Sequence, residues 1–258
     1  MANEVATKKV EQYSIMTISQ EEIQGLIAAN VGRNGVSPFM LERVKIPAGG
    51  GLFWTVPTLD GEVPVKEVEG IIIHFRDLRA YWSRRPGEDG SAAGGPPDCL
   101  SEDALVGRGR RFDGDVDEAH DCLNCRFSRF GSDPKGGKGQ ACGARKAIFL
   151  LRQDSILPVL FMLPATSLQQ VERFFVALLS YRMPFYGCVV RIGLEQRPST
   201  TGIIYSRAVL SQVRKLGDDE RARVEALRKV LVPALDRTRI RMDDEASNGG
   251  ATRGSDDV

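Results

Sequence analysis

The chain reads as a mixed α+β protein, mainly β: a small barrel or a strongly curved antiparallel sheet, with a metal-bearing insert and peripheral helices. Three observations predict this. Apolar segments of strand length outnumber amphipathic helical stretches. The strands do not alternate with helices, which argues against a doubly wound parallel sheet. Residues 83–143 break the core pattern and hold four of the five cysteines.

The elements follow in order. Residues 1–18 are polar and read as a flexible N-terminus. Ser19 with Glu22 forms a capping box, and Ile23, Leu26 and Ile27 follow at helical spacing, predicting a helix to about Ala29. Met40 to Pro47 and Leu52 to Pro57 read as strands joined through three glycines, and Val68 to Phe75 as a strand around Ile71, Ile72 and Ile73. After the insert, Ala147 to Arg152 and Leu157 to Leu163 are strands. Ser167 with Gln170 predicts a second capping box, opening a helix with Leu168, Val171, Phe174, Phe175, Leu178 and Leu179 on its buried face. Tyr186 to Gln196 and Gly202 to Val213 form a hairpin, and Asp219 to Leu231 a last helix. One β-rich domain thus spans 19–242, with the insert at 83–143, and 243–258 is an acidic, disordered tail.

Composition narrows the function. With 258 residues and 42 % apolar content the chain can build a real core, and 35 basic against 34 acidic residues leave a net charge of +1. Only two histidines, His74 and His120, argue against histidine-based zinc catalysis and most hydrolase triads. No apolar run has the roughly 18 residues of a membrane helix, so no membrane partner is expected. The first residues lack an apolar signal core, so the expected location is the cytoplasm. In that compartment five cysteines read as metal ligands or core thiols rather than disulfides.

Cys99, Cys122, Cys125 and Cys142 are spaced C-x22-C-x2-C-x16-C. The central pair is a knuckle that offers two thiolates to one tetrahedral ion. The insert has too few aliphatic side chains to order itself, and a structural zinc ion can supply on the order of 10 kcal/mol of folding free energy. The four cysteines are therefore the expected ligands of one structural Zn2+, with His120 as the alternative to one of them. Four thiolates close the site, so no catalysis is expected. Cys188 lies in an apolar strand and reads as a core thiol.

The glycine-rich stretch around Lys135 and Lys138 fails the phosphate-loop pattern, because Lys138 is followed by Gly139 rather than Ser or Thr. Its basic character points instead to a nucleic-acid backbone. Residues 108–146 hold nine basic and six acidic side chains, a net of +3. Residues 75–85 hold four arginines and three aromatic rings, the residue types that neutralise phosphates and stack on bases. The candidate nucleic-acid residues are Arg76, Tyr81, Trp82, Arg84, Arg85, Arg129, Lys135, Lys138, Arg145 and Lys146. The segment 243–258 carries a net −4, leaving the remainder at +5. An acidic tail on a basic body competes with nucleic acid for the groove and can dock replication or recombination proteins.

Several stretches carry a resemblance. They are Leu41-Glu42-Arg43-Val44-Lys45-Ile46-Pro47 with Gly49-Gly50-Gly51, Pro96-Pro97-Asp98-Cys99, and Phe130-Gly131-Ser132 with Gly137-Lys138-Gly139-Gln140-Ala141-Cys142. Leu163-Pro164-Ala165-Thr166-Ser167-Leu168 and Gly202-Ile203-Ile204-Tyr205-Ser206 complete the set. Together they resemble a protein family of phages and integrative mobile elements, over roughly residues 38–210. By layout, the zinc insert and acidic tail are similar to the phage T4-type single-stranded DNA-binding protein, which implies an oligonucleotide-binding (OB) type barrel. That protein uses one histidine with three cysteines at a different spacing, so the likeness is one of arrangement. The expectation is a non-enzymatic protein that binds single-stranded DNA or RNA in replication or recombination. The alternative is a zinc-stabilised adaptor for a polymerase, recombinase or host factor. No helix-turn-helix pattern supports a transcription regulator.

Overall fold

The computed structural model describes residues 13, 18–31, 41–83, 96–109, 119–133, 138–199, 202–237 and 240. The elements in chain order are α1 (Gln20–Val31), β1 (Arg43–Val44), β2 (Trp54–Thr58), β3 (Gly61–Val65), β4 (Glu67–Tyr81), β5 (Cys99–Ser101), β6 (Val106–Gly109) and β7 (Ala119–Asp121). They continue with β8 (Gly143–Leu151), β9 (Val159–Pro164), α2 (Ala165–Ser180), β10 (Cys188–Pro198), β11 (Ile204–Lys215) and α3 (Asp218–Arg237). The protein is mixed α+β and mainly β.

The fifteen-residue strand β4 organises the rest. One edge pairs with antiparallel β8 from Ile71 to Ala80. The other edge is shared: β10 takes Glu67 to Ile71, and β5 takes Arg79 to Tyr81. Beyond β8 lie antiparallel β9 and then the short parallel strand β1. The result is one nine-stranded sheet plus the separate β2–β3 hairpin. Among the described residues the sheet does not close into a barrel, because β11 pairs with β10 alone. The barrel form of the expectation is corrected to that extent.

A bulge divides β4. Its register against β8 shifts between Ile72 and His74. An extra residue flips every later side chain to the opposite face. Ile71 and Ile73 thus share one core cluster with Leu78 and Ala80, while Ile72 lies in the other and Phe75 packs against that same second cluster. The first core is covered by Ile23 of α1 and by Val224, Leu227, Leu231 and Leu235 of α3. The second is covered by Val171 and Leu178 of α2 and by Trp54 and Val56 of β2. Trp54 is fully buried, and its indole N–H donates to the Ile192 carbonyl at 3.1 Å.

Gly70 stands where β4 passes from β10 toward β8. A Cβ there would lie 2.6 Å from both the Leu151 carbonyl oxygen and the Leu150 Cγ. A backbone oxygen held in a sheet cannot swing aside. Gly70→Ala is therefore expected to cost about 1–3 kcal/mol, as overpacking does, and to lower Tm by several degrees in thermal denaturation. An unchanged Tm would mean that the two strands do not approach this closely.

Helix starts divide instructively. At α1 the capping box forms as expected: Glu22 N–H donates to Ser19 Oγ at 3.1 Å, and Ser19 N–H to Glu22 Oε2 at 2.7 Å. At α2 it does not. The helix begins two residues earlier, at Ala165, and Ser167 Oγ accepts the Ala208 N–H of β11 at 3.0 Å. Ser167 is fully buried, so its hydroxyl serves the sheet rather than its own helix. At α3, Glu220 forms a two-pronged pair with Arg214 at 2.7 Å and accepts the Gly217 N–H, which holds its carboxyl below the usual range. The helix runs past Leu231 and through Pro233, because Leu235 also packs on the sheet.

The polar reading of residues 1–18 is corrected at Tyr13, which is buried in the first core, and at Ile18, which packs against it. The tail 243–258 lies outside the described residues, as do Arg84, Arg85 and Lys135. Among the described residues no helix is long and apolar enough to cross a membrane.

Candidate metal centre

The insert connects β4 to β8, two neighbouring antiparallel strands, so it projects from one end of the sheet. Three short strands extend the sheet there. Tyr81 pairs with Cys99, Cys99 with Gly109, and Gly107 with His120. The polar sequence hid these strands because they carry few apolar residues to alternate. Asp121 opens the knuckle by accepting the Leu123 N–H at 2.9 Å. Ser128 Oγ closes it by donating to the Cys122 and Cys125 carbonyls at 2.7 and 2.8 Å. Cys142 is brought back by its own N–H, which donates to the Phe127 carbonyl at 2.8 Å.

All four cysteines of the spacing pattern line one cavity of about 320 Å3, together with Arg79, Tyr81, Gly107, His120 and Phe127. None of the five cysteines is disulfide-bonded. Gly107 is the residue that lets two thiols approach. A Cβ there would meet Cys99 Sγ at 2.9 Å and Cys122 Sγ at 3.4 Å. Burial pushes the Cys142 thiol up to about 12 and raises that of Cys122, while Arg79 acts against burial at both. The Arg79 Nη1 atom is buried and has no hydrogen-bond partner. His120 is buried on the same wall, its Nε2 3.3 Å from the Gly109 carbonyl oxygen.

Among the described residues, no group of three or more His, Cys, Asp or Glu side chains is gathered closely enough to hold an ion as it stands. The donor chemistry of the cavity nevertheless fits a soft divalent metal: four thiols, a glycine cradle between two of them, and an unpaired cation in the wall. Cys188 is fully buried in the second core, its thiol raised to about 11 by burial.

The basic and aromatic candidates separate by exposure. Tyr81 is 5 % exposed and stacks on Phe127 at 4.6 Å, docking the insert onto the end of β4. Arg76 donates to the Glu102 and Leu235 carbonyls and pairs with the Glu102 carboxylate at 3.3 Å. Lys146 is buried, paired with Asp77 and seated over the Phe75 and Phe175 rings at 4.7 and 5.6 Å. Arg145 is buried over the half-buried Trp82 ring. These five are engaged in internal contacts, and Tyr81, Arg145 and Lys146 are buried rather than open to a groove. Arg129 and Lys138 are exposed. Beside them stand residues outside the expected set: exposed Arg126, Leu123 at 72 % and Phe130 at 74 %. The Gly131 N–H donates to the Lys138 carbonyl at 3.0 Å, bringing Lys138 back beside Phe130. A large ring in a core-poor loop between Cys125 and Cys142 was the available signal for Phe130.

No family model, curated protein or solved structure matches the chain.

Proposed function

We propose that this chain is a non-enzymatic single-stranded DNA-binding protein of a phage or mobile element, acting in replication or recombination. One observation carries the reading: the order of strands around β4. In sequence, β4, β8 and β9 are followed by α2 and then by β10 and β11, and β4 pairs with both β8 and β10. A first strand shared by the second and fourth, with a helix between the third and fourth, matches part of the connectivity of the OB-fold, without the pairing that closes its barrel. That fold binds oligonucleotides with its second and third strands and with the loops joining strands one to two and four to five. Here the one-to-two connection is the cysteine-bearing insert. The argument from connectivity is one of analogy.

The exposed side chains of the insert suit that task. Arg129 and Lys138 would neutralise phosphates, and the exposed Phe130 ring offers a base-stacking face. The outer face of β8 and β9 is covered by α1 and α3 through Phe149, Leu160 and Met162. The strand would therefore run along the insert rather than across that face. A zinc ion held by Cys99, Cys122, Cys125 and Cys142 would supply the folding free energy that the insert lacks.

An adaptor role is favoured by a different surface. Val176, Leu179 and Tyr181, at the end of α2, are 60, 75 and 78 % exposed, so Leu179 does not lie on the buried face expected of it. A labelled oligothymidine titrated at increasing salt separates the two. The expected result is tight, sequence-tolerant binding with a log–log salt slope of at least about −1.4, the value for two single-strand phosphate contacts. Absence of binding at low salt would remove the DNA reading and leave the adaptor in its place.

A further inference from the structure

We infer that Arg79 is the built-in counter-charge of a metal–thiolate centre, its guanidinium donating to the thiolates that hold the ion. The inference rests on the zinc reading of the cavity and names a residue no spacing pattern reveals.

Arg79 sits near the end of β4, with Ser101 of β5 opposite on one side and Ala144 of β8 on the other. It is therefore fixed from both edges. Its side chain lines the same cavity as the four cysteines, and its Nη1 is buried without a hydrogen-bond partner. The neighbouring arginine of β4 is satisfied: Arg76 has Glu102 and the Leu235 carbonyl. Buried charges are ordinarily paired, because an isolated one carries a large desolvation cost. Arg79 as a whole is half-buried, and four neutral thiols would leave its buried Nη1 without a strong acceptor. Four thiolates around one divalent ion carry a net double negative charge, and a guanidinium beside them is then both paired and hydrogen-bonded. Arginine suits this position better than lysine because its N–H groups form a fixed fork. Outer-shell partners of this kind hold ligands in orientation and raise metal affinity.

The test compares wild type, Arg79→Met and Arg79→Lys, each purified with and without zinc. Zinc affinity is read by competition with a chromophoric chelator, and Tm is measured in both forms. Arg79→Met is expected to weaken zinc binding by about 10- to 100-fold. It should lower the Tm of the zinc-loaded protein while leaving that of the metal-free protein unchanged or raised. That change of sign distinguishes a counter-charge from a merely packed side chain. Wild-type zinc affinity in Arg79→Met would overturn the inference and leave the zinc reading intact. A wild-type protein that takes up no zinc, and shows no thiolate charge-transfer band with cobalt(II), would overturn both. Should Arg79→Met fail to fold, Arg79→Lys decides. It keeps the charge but not the fork, so several-fold faster zinc release is expected, and release as slow as wild type overturns the inference.

Discussion

If the four cysteines hold zinc as proposed, Cys142→Ser is expected to abolish zinc binding and loosen the insert, while both cores persist. Cys142 is the position where the cysteine-lined cavity meets the sheet. Its thiol is 7 % exposed in the cavity wall, and the next residue, Gly143, begins β8 opposite Ala80. Losing one of four ligands removes a large part of a stabilisation that reaches on the order of 10 kcal/mol in small zinc domains. The rest of the insert offers little in exchange, since Leu105, Leu123 and Phe130 are exposed. The cores do not depend on it, because β4 still pairs with β8 from Ile71 onward and with β10. Hydrogen exchange with metal analysis checks this. Amides of 99–109, 119–133 and 138–142 should lose protection in the variant and in chelator-treated wild type alike, while those of Ile71–Phe75 and Ile148–Leu151 keep theirs. Equal protection of the insert with and without metal would remove the structural role of zinc.

Some of this architecture was legible in the residues and some was not, for reasons that differ from place to place. Ser19 and Glu22 are three apart on a local turn, so the box they form depends on nothing distant, and it was readable. Ser167 carries the same local signal, but its hydroxyl is captured by β11, forty-one residues away, and only the tertiary structure reveals that. The second half of β4 was hidden because Arg76, Asp77 and Arg79 interrupt its apolar pattern. The bulge at Ile73 then reverses which side is buried, so no single period describes the strand. The four cysteines point to one another by residue type and spacing, and they do line one cavity. The basic residues were not, because whether a lysine faces water or an aromatic pocket depends on what packs against it. For Lys146 those partners are Phe75, Phe175 and Asp77, none of them local. Composition gives charge; only packing gives accessibility.

That distinction sets the sharpest expectation for binding, in which Phe130 takes the stacking role the sequence suggests for Tyr81. Phe130→Ala should weaken oligothymidine binding by about 1–3 kcal/mol, the worth of one stacked base, with little change in salt slope and none in Tm, because the ring is 74 % exposed. Arg129→Ala and Lys138→Ala should each reduce the magnitude of the salt slope by up to about 0.7. Tyr81→Ala should do neither directly. Its ring is buried against Phe127, beside the Cys99 partner position. Losing a buried aromatic costs about 3–5 kcal/mol in a core, so the expected readings are a lower Tm, faster zinc release and binding reduced only as the insert loosens. Measuring Tm and affinity on the same samples separates the two behaviours. If Phe130→Ala binds as wild type does while Tyr81→Ala loses affinity at full thermal stability, the exposed tip is not the contact surface and the strand must run elsewhere.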